Sequence, residues 1–391
     1  MEQNEGPSRW YRLNLWLHRW RSLLATLPFL ILCLSGTVLI FHDEVDAVLG
    51  VVPVEQAGAN MQHLPLAQSV RNVLAAFPDE RVVSVSIDEE EHPGVALLVT
   101  VPKDERGFDH YKLRYTRLAD AQLVANAAAK PTNTLTGFLL ELHSKWFLGM
   151  PGELLGALIA LLVVLSLLSG MVVYWPHVKK VAFGLLRRGR GPRLRQLDLH
   201  NTIGAVVLGW ALVVSVTGFL LGFGTLLQGV WQQTELMALQ RQHSGVAVDR
   251  LHPPVDVDRA HAAALAAMPA GWHVISVVFP DTAFSTNRHY TVLVGGQGLD
   301  ERLFRVALVD AASGQVPAVV ELPWYLKAIA LAEPLHFGDY GGLPLKILWT
   351  ACTWLTLFIT ANGAWLWWDR RRKRRPKARP DAVGMAREAA R

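Results

Sequence analysis

Four of the fourteen histidines recur at matched positions in the two halves of the chain. In each half, one histidine precedes a glycine by 18 residues, and another precedes a proline by 8 residues and a glycine by 27. The matching positions are His18 and Gly36 with His143, Pro151 and Gly170 in the first half, and His200 and Gly218 with His336, Pro344 and Gly363 in the second. Equal spacing predicts two facing pairs at helix starts, His18 with His200 and His143 with His336. Two imidazoles that face each other in a helix bundle are the axial ligands that a haem iron requires.

The pattern therefore predicts two bis-histidine b-type haems, and the prediction depends on the pairing. A single histidine at a membrane boundary is more often an interfacial residue that bonds to headgroups or backbone. A tetrahedral zinc site is a weaker interpretation, because the sequence contains neither HExxH nor CxxC. His42 and His177 also lie at the ends of apolar segments but have no counterpart in the other half, so they stay as alternative ligands.

Basic residues lie next to two of the paired histidines. Arg19 follows His18, and Lys145 follows His143 by two positions. Both are candidates to neutralise haem propionates, although a role in membrane orientation would also explain Arg19. The glycines in mid-span would allow close approach of a flat macrocycle or of a neighbouring helix.

The elements that must position these residues are membrane-spanning helices. The hydrophobic fraction is 51%, the charged fraction only 18%, and the mean hydropathy is +0.23. Four segments contain no Asp, Glu, Lys or Arg and reach the roughly 20 residues that a helix needs to cross the hydrocarbon core. They are residues 22–41, 154–175, 202–227 and 347–368.

The charge distribution predicts the orientation of the spans. Residues 1–21, 176–199 and 369–391 contain 21 Lys and Arg against 6 Asp and Glu, whereas the remainder contains 17 against 27. The positive-inside rule places both termini and the short loop in the cytoplasm, and both long loops outside. These clusters are best explained as orientation signals and contacts with lipid headgroups, so we expect no nucleic-acid partner.

The fold class that follows is a membrane all-α four-helix transmembrane bundle, built as a parallel two-fold repeat, with two small α+β domains outside the membrane. Helices are predicted at 65–77 and 255–268, and strands at 82–87, 96–101, 110–118, 273–279, 289–294 and 302–310. The predicted order is a cytoplasmic N-terminus (1–21), span one (22–41), the first external domain (42–142), span two with its entry (143–175), a basic cytoplasmic loop (176–199), span three (200–227), the second external domain (228–335), span four with its entry (336–368) and a basic cytoplasmic tail (369–391).

Several motifs resemble a known family. They are LHRW at 17–20, FHDEVD, ELHSKWFLG, GELLG, DLHNTIG and PLHFGDYGG. Together they resemble the PepSY-associated transmembrane family of bacterial inner-membrane proteins over nearly the whole chain, and the resemblance implies that the external loops are PepSY-like periplasmic domains. Within the family, the nearest analogy is to the ferrisiderophore reductases, such as ferrioxamine reductase, which contain haem. The resemblance implies that His18, His143, His200 and His336 are the haem ligands, whereas His42 departs from the family pattern.

These inferences predict a di-haem reductase of the bacterial inner membrane, which passes electrons from the cytoplasmic side to a ferric siderophore or similar ferric chelate in the periplasm. The cytoplasmic loop of 24 residues is too short for a nucleotide-binding domain, and no GxGxxG follows a strand. The donor is therefore a quinol, a reduced flavin or a reductase protein. The alternatives are a membrane binding or regulatory protein without redox activity, and a siderophore transporter.

Overall fold

The computed structural model describes residues 8–51, 65–87, 93–108, 110–124, 134–178, 183–187, 191–298 and 302–374. Parts of the predicted basic loop and tail, at 179–182, 188–190 and 375–391, lie outside the described residues. The chain divides into two compact units. The membrane unit takes its residues from Met1–Thr37, Leu158–Phe219 and Gly341–Arg391, and the sheet unit takes its residues from Val38–Ala157 and Leu220–Tyr340.

The helices and strands are as follows. The helices are α1 (Arg9–Leu39), α2 (His42–Leu49), α3 (Leu66–Ala76), α4 (Leu135–Leu140), α5 (Met150–Val178), α6 (Pro192–Leu221), α7 (Gly224–Trp231), α8 (Met237–Gln242), α9 (Val257–Ala266), α10 (Trp324–Phe337) and α11 (Gly342–Arg374). Short π-helical turns follow α4 at Glu141–Lys145 and α7 at Gln232–Leu236. The strands are β1 (Glu80–Ile87), β2 (Val95–Pro102), β3 (Lys112–Arg117), β4 (His273–Val278), β5 (His289–Gly295), β6 (Arg305–Asp310) and β7 (Ala318–Glu321).

Four helices in the described part of the chain are long and apolar enough to cross a membrane, which confirms the predicted number of spans. They are α1, α5, α6 and α11. Each begins before its predicted apolar segment, because polar and aromatic flanks such as those around His18 continue the helix. At the other end, α1 and α6 end at Leu39 and Leu221, before the predicted ends at 41 and 227. The proline at Pro192 opens α6, as is common at the first helical position.

The prediction that the four paired histidines stand at helix starts is wrong. His18 lies well inside α1 and His200 well inside α6. His143 lies in the π-helical turn before α5, and His336 lies in the last turn of α10, before α11. The apolar residues indicate which part of a helix lies in the hydrocarbon. They do not indicate the residue at which the helix itself begins, because the backbone can be helical well before the apolar segment.

The strands of the two long loops form one antiparallel sheet in the order β3-β2-β1-β4-β5-β6-β7. The seam between the loops is the β1–β4 pair, in which Val85 lies opposite Val277. The sequence suggested two separate domains, because alternating apolar residues reveal which face of a strand is buried but not which distant strand pairs with it. The short β7 was not predicted, since its four residues show little burial.

Helices α3 and α9 pack against one face of the sheet. Residues fully buried there include Val73 of α3, Ala260 of α9 and Tyr290 of β5, whose hydroxyl donates to the Val255 carbonyl at 2.7 Å. The two helices are also joined directly, because the Asp258 carboxylate accepts from the backbone N–H groups at the start of α3 at 2.7 and 2.9 Å. A carboxylate at a helix N-terminus is stabilising.

Candidate functional site

The first pair of histidines lies in the membrane unit, and each ring is bonded to the backbone of another spanning helix. The Nδ1 of His18 lies 2.9 Å from the carbonyl oxygen of Ser166. The Nδ1 of His200 lies 3.1 Å from the carbonyl oxygen of Ile359. A carbonyl only accepts, so Nδ1 carries the proton and Nε2 holds the lone pair. Metal-binding histidines are held in this way, with one ring nitrogen donating to the protein and the other facing the metal.

Two glycines lie against these imidazoles. Gly170 follows Ser166 by four residues, and a Cβ added to it would lie 3.1 Å from Cε1 of His18. Gly363 follows Ile359 by four residues, and its added Cβ would lie 3.3 Å from Cε1 of His200. Both distances are tighter than an ordinary van der Waals contact. The glycines therefore make room for the imidazole rings themselves.

The surroundings of this pair contain unused polar groups. The hydroxyls of Ser166 and Thr356 are buried and have no hydrogen-bond partner among the described residues. The rings of His18 and His200 are half-buried. The two hydroxyls and the two Nε2 lone pairs are thus polar groups that a bound cofactor could use.

The second pair lies in the sheet unit, where the ring centroids of His143 and His336 are 6.3 Å apart with an interplanar angle of 68°. Metal–nitrogen bonds of about 2 Å on both sides of one ion, with about 1 Å from each nitrogen to its ring centre, would place the centroids about 6 Å apart. The observed centroid distance is compatible with two imidazoles that bind one metal ion. It also lies within the range of ordinary edge-to-face ring contacts.

The backbone around His143 is bent in an unusual way. The π-helical turn Glu141–Lys145 is followed by two bulky residues with positive φ, Trp146 at 52° and Phe147 at 57°. Gly152, at the start of α5, packs so closely against the Lys145 carbonyl that no Cβ fits there. π-Helical turns and strained backbone are enriched at functional sites.

The predicted partners of the haem propionates differ in their surroundings. Lys145 is paired with Glu141 at 3.2 Å. Arg19 forms no hydrogen bond or ion pair with any described residue.

The alternative ligand His42 has both ring nitrogens occupied, since Nδ1 lies 3.0 Å from the Leu39 carbonyl oxygen and Nε2 lies 2.9 Å from Asp43 Oδ1. The other alternative, His177, is exposed at the end of α5.

Two buried ionisable residues at the starts of spanning helices were not predicted from the sequence. Glu153 of α5 is 7% exposed and accepts from the Thr225 hydroxyl at 2.8 Å, and Lys346 of α11 is 8% exposed. Each follows the repeated proline by two residues, so the repeat itself contained the signal. Ionisable side chains buried in spans are candidates for a functional role by default.

Among the described residues, no three His, Cys, Asp or Glu side chains form a metal-binding group. A haem takes only two axial ligands from the protein.

Comparison with known proteins places this arrangement in a family. The sequence profile described as PepSY-associated TM region matches residues 15–370. The chain belongs to the PepSY-associated transmembrane family. The match includes both histidine pairs and all four spans of this PepSY-associated membrane protein. The chain is also similar to an uncharacterised protein of Pseudomonas aeruginosa, with 37% identity over 91 residues, which is 22% of this chain and 22% of that protein. The matched segment thus spans about a fifth of that relative.

Proposed function

We propose that this protein is a di-haem reductase of the bacterial inner membrane, which delivers electrons from the cytoplasmic side to a ferric siderophore or similar ferric chelate in the periplasm. The observation on which the proposal rests is the matched bonding of His18 and His200, whose Nδ1 atoms lie 2.9 and 3.1 Å from backbone carbonyls of neighbouring spans. That bonding fixes the tautomer that leaves Nε2 ready for iron.

In this proposal, His18 and His200 hold one b-type haem, and His143 and His336 hold the other. A bound haem supplies reversible one-electron transfer at a potential set by its ligands and surroundings. The protein chain orients the histidines that would hold each haem. The carbonyls of Ser166 and Ile359 keep the inner imidazoles neutral and fix their ring planes, and the π-helical turn presents His143 towards His336.

We further propose that the chain is a parallel two-fold repeat in which each half provides one histidine to each pair. The register of the seam supports this. Val85 lies opposite Val277, with Ser84 opposite Val278 on one side and Ser86 opposite Ser276 on the other. Strand β1 has a bulge between Val82 and Ser84, and β4 has one at the corresponding place between Val274 and Ser276. A two-fold axis through the Val85–Val277 pair relates these features.

Reduction of the iron in the bound chelate would promote its release from the chelate. One electron converts Fe(III) in the chelate to Fe(II), which is a softer ion with a lower charge density. Hard oxygen ligands hold it less tightly. The protein therefore needs only to bring the ferric chelate close to its outer histidine pair.

A visible spectrum of the purified protein tests the proposal. We expect a Soret band and an α-band that sharpen on addition of dithionite, with two haems per chain. Replacement of His18 or His200 by Ala should remove one haem, and replacement of His143 or His336 should remove the other. The control is His177→Ala, which removes an exposed histidine at the end of a span and should leave both haems in place.

Two outcomes would contradict the proposal. A colourless protein, after expression with ample haem, would favour the binding, regulatory or transport alternatives. Full haem content in all four single variants would show that other side chains are the ligands. Reduction of a ferric chelate by the dithionite-reduced protein, followed with a ferrous-specific dye, then tests the reaction itself.

A further inference from the structure

The end of the membrane unit where α1 begins and α11 ends is strongly basic. Its described side chains include ten arginines and only two aspartates. Both aspartates are paired, because Arg187 donates to Asp198 at 2.5 Å and Arg193 lies 3.5 Å from Asp369. The positive charge that remains is suited to an anionic partner.

An aromatic cluster lies within this basic end. The guanidinium carbon of Arg371 is 4.2 Å from the ring centre of Trp367 and 5.8 Å from that of Trp20. Both distances are within the range of cation–π contacts. Trp20 is 43% exposed. The Trp20–Arg371–Trp367 cluster therefore offers a flat ring and a planar cation at the surface, which together can stack on a planar conjugated molecule.

The cluster lies close to the first histidine pair. Trp20 follows His18 by two residues in α1. Trp367 follows Gly363 by four residues in α11, a rise of about 6 Å along the helix, and the Cβ position of Gly363 is 3.3 Å from Cε1 of His200. Measured along the helix axes, the cluster therefore lies within about one helical turn of the level of the imidazoles.

We propose that the Trp20–Arg371–Trp367 cluster binds the electron donor, and that this donor is a reduced flavin nucleotide. The inference rests on the proposed reductase function and adds the donor to it. The ring system stacks on Trp20 and the Arg371 guanidinium, while the phosphate interacts with Arg19, which has no ion pair among the described residues. On oxidation, the anionic flavin hydroquinone releases two electrons and one proton, which matches the reduction of two ferric ions to ferrous ions.

The other candidate electron donors would use fewer features of this cluster. A quinol is uncharged, so it gains nothing from the arginines. Anionic lipid headgroups would use the charge, and an indole at the membrane interface suits them, but they need no guanidinium stacked beside that indole. A redox protein with an acidic surface would contact the whole basic end, and would therefore be equally sensitive to every exposed arginine.

Flavin binding can be measured without any redox step. The probe is oxidised flavin mononucleotide, and its fluorescence quenching is titrated with the full-length protein in zwitterionic nanodiscs. We expect saturable quenching that weakens with salt, and weaker binding of riboflavin, which lacks the phosphate. Arg371→Gln should weaken binding about tenfold, through loss of the planar cation on which the ring stacks, and Trp20→Leu about fivefold, through loss of the indole.

Neighbouring residues give matched controls. Arg372→Gln makes the same charge change one position away, and Trp368→Leu removes an indole that is 68% exposed. Both should change the affinity less than twofold. No saturable binding, or equal losses in Arg371→Gln and Arg372→Gln, would overturn the proposal in favour of a diffuse surface for headgroups or an acidic protein. If flavin fails to bind but the protein contains two haems, only the donor is wrong. If flavin binds to a colourless protein, the reductase function is wrong and the site stands.

Discussion

The Nδ1 of His18 lies 2.9 Å from the carbonyl oxygen of Ser166, which belongs to a different spanning helix. This bond brings the Nδ1–Cε1 edge of the ring close to α5, and the next turn of α5 provides the space with Gly170. The bond and the glycine recur at His200, on Ile359 and Gly363 of α11. Each half of the chain thus orients one imidazole with one carbonyl and one glycine.

The first prediction concerns that glycine. In Gly170→Val, the added carbons would meet His18 at 3.1 Å or less, so the ring must move and its bond to Ser166 must break. We expect this variant to lose the haem of the His18–His200 pair and to keep the other, as measured by haem content and the spectrum. The control is Gly209→Val, since a Cβ at Gly209 meets nothing within 4 Å. Full haem content in Gly170→Val would show that the ring position is not essential.

The second prediction concerns His42, the alternative ligand. Its two ring nitrogens are bonded to the Leu39 carbonyl and the Asp43 carboxylate, so neither is available to iron. We expect His42→Gln to keep both haems and an unchanged spectrum, whereas His143→Gln loses one haem. Loss of haem in His42→Gln together with retention in His143→Gln would reverse the assignment.

Local sequence patterns were sufficient to predict the individual strands and helices. The alternation in VVSVSI predicts a strand at 82–87, and the structure has β1 at Glu80–Ile87. The amphipathic segment 65–77 predicts a helix, and the structure has α3 at Leu66–Ala76. In both cases the pattern of apolar residues is local and is decided by which face meets the core.

Contacts between residues that are far apart in the sequence could be predicted only in part. The pairing of Val85 with Val277 joins two strands from different loops, and no local pattern specifies that partner. The histidine pairs were accessible because the repeat supplied a second copy of each position. Their roles as haem ligands stay predictions. Glu153 and Lys346 were missed because each lies just before an apolar run, although both are buried in the helices.

The third prediction concerns the pH dependence of the sheet unit. Burial opposes ionisation of Glu80, but hydrogen bonds from Arg114, Thr100 and Lys112 outweigh it and lower the pKa of Glu80 to about 2 from 4.5. The lowered pKa stabilises the fold fully above about pH 4.5, and this stabilisation is lost as the pH falls towards 2. Glu80→Gln should therefore lower the free energy of unfolding by about 2–3 kcal/mol at neutral pH, and by about 1 kcal/mol at pH 3.

Differential scanning fluorimetry of the full-length protein at both pH values checks this expectation. The matched control is Glu321→Gln, because Glu321 pairs with Lys327 on the surface, where its side chain is 59% exposed. We expect little change there at either pH. An equal effect of Glu80→Gln at both pH values would mean that packing, and not the charge of Glu80, stabilises this part of the sheet.

The fourth prediction concerns Arg81, a cation that is only 1% exposed in β1. Its guanidinium donates to the Glu105 carbonyl at 2.8 Å and to the Asp281 carbonyl at 2.7 Å, so it joins the first loop to the segment that follows β4. Arg81→Gln leaves those buried carbonyls without their charged donor, which should cost about 3 kcal/mol. Because the bond to the Asp281 carbonyl crosses the seam, we expect amide hydrogen exchange to accelerate most in β1 and β4. Arg71→Gln, which removes an exposed arginine of α3, should leave exchange unchanged. Equal acceleration across all seven strands would show that Arg81 stabilises the sheet as a whole and not the seam between its halves.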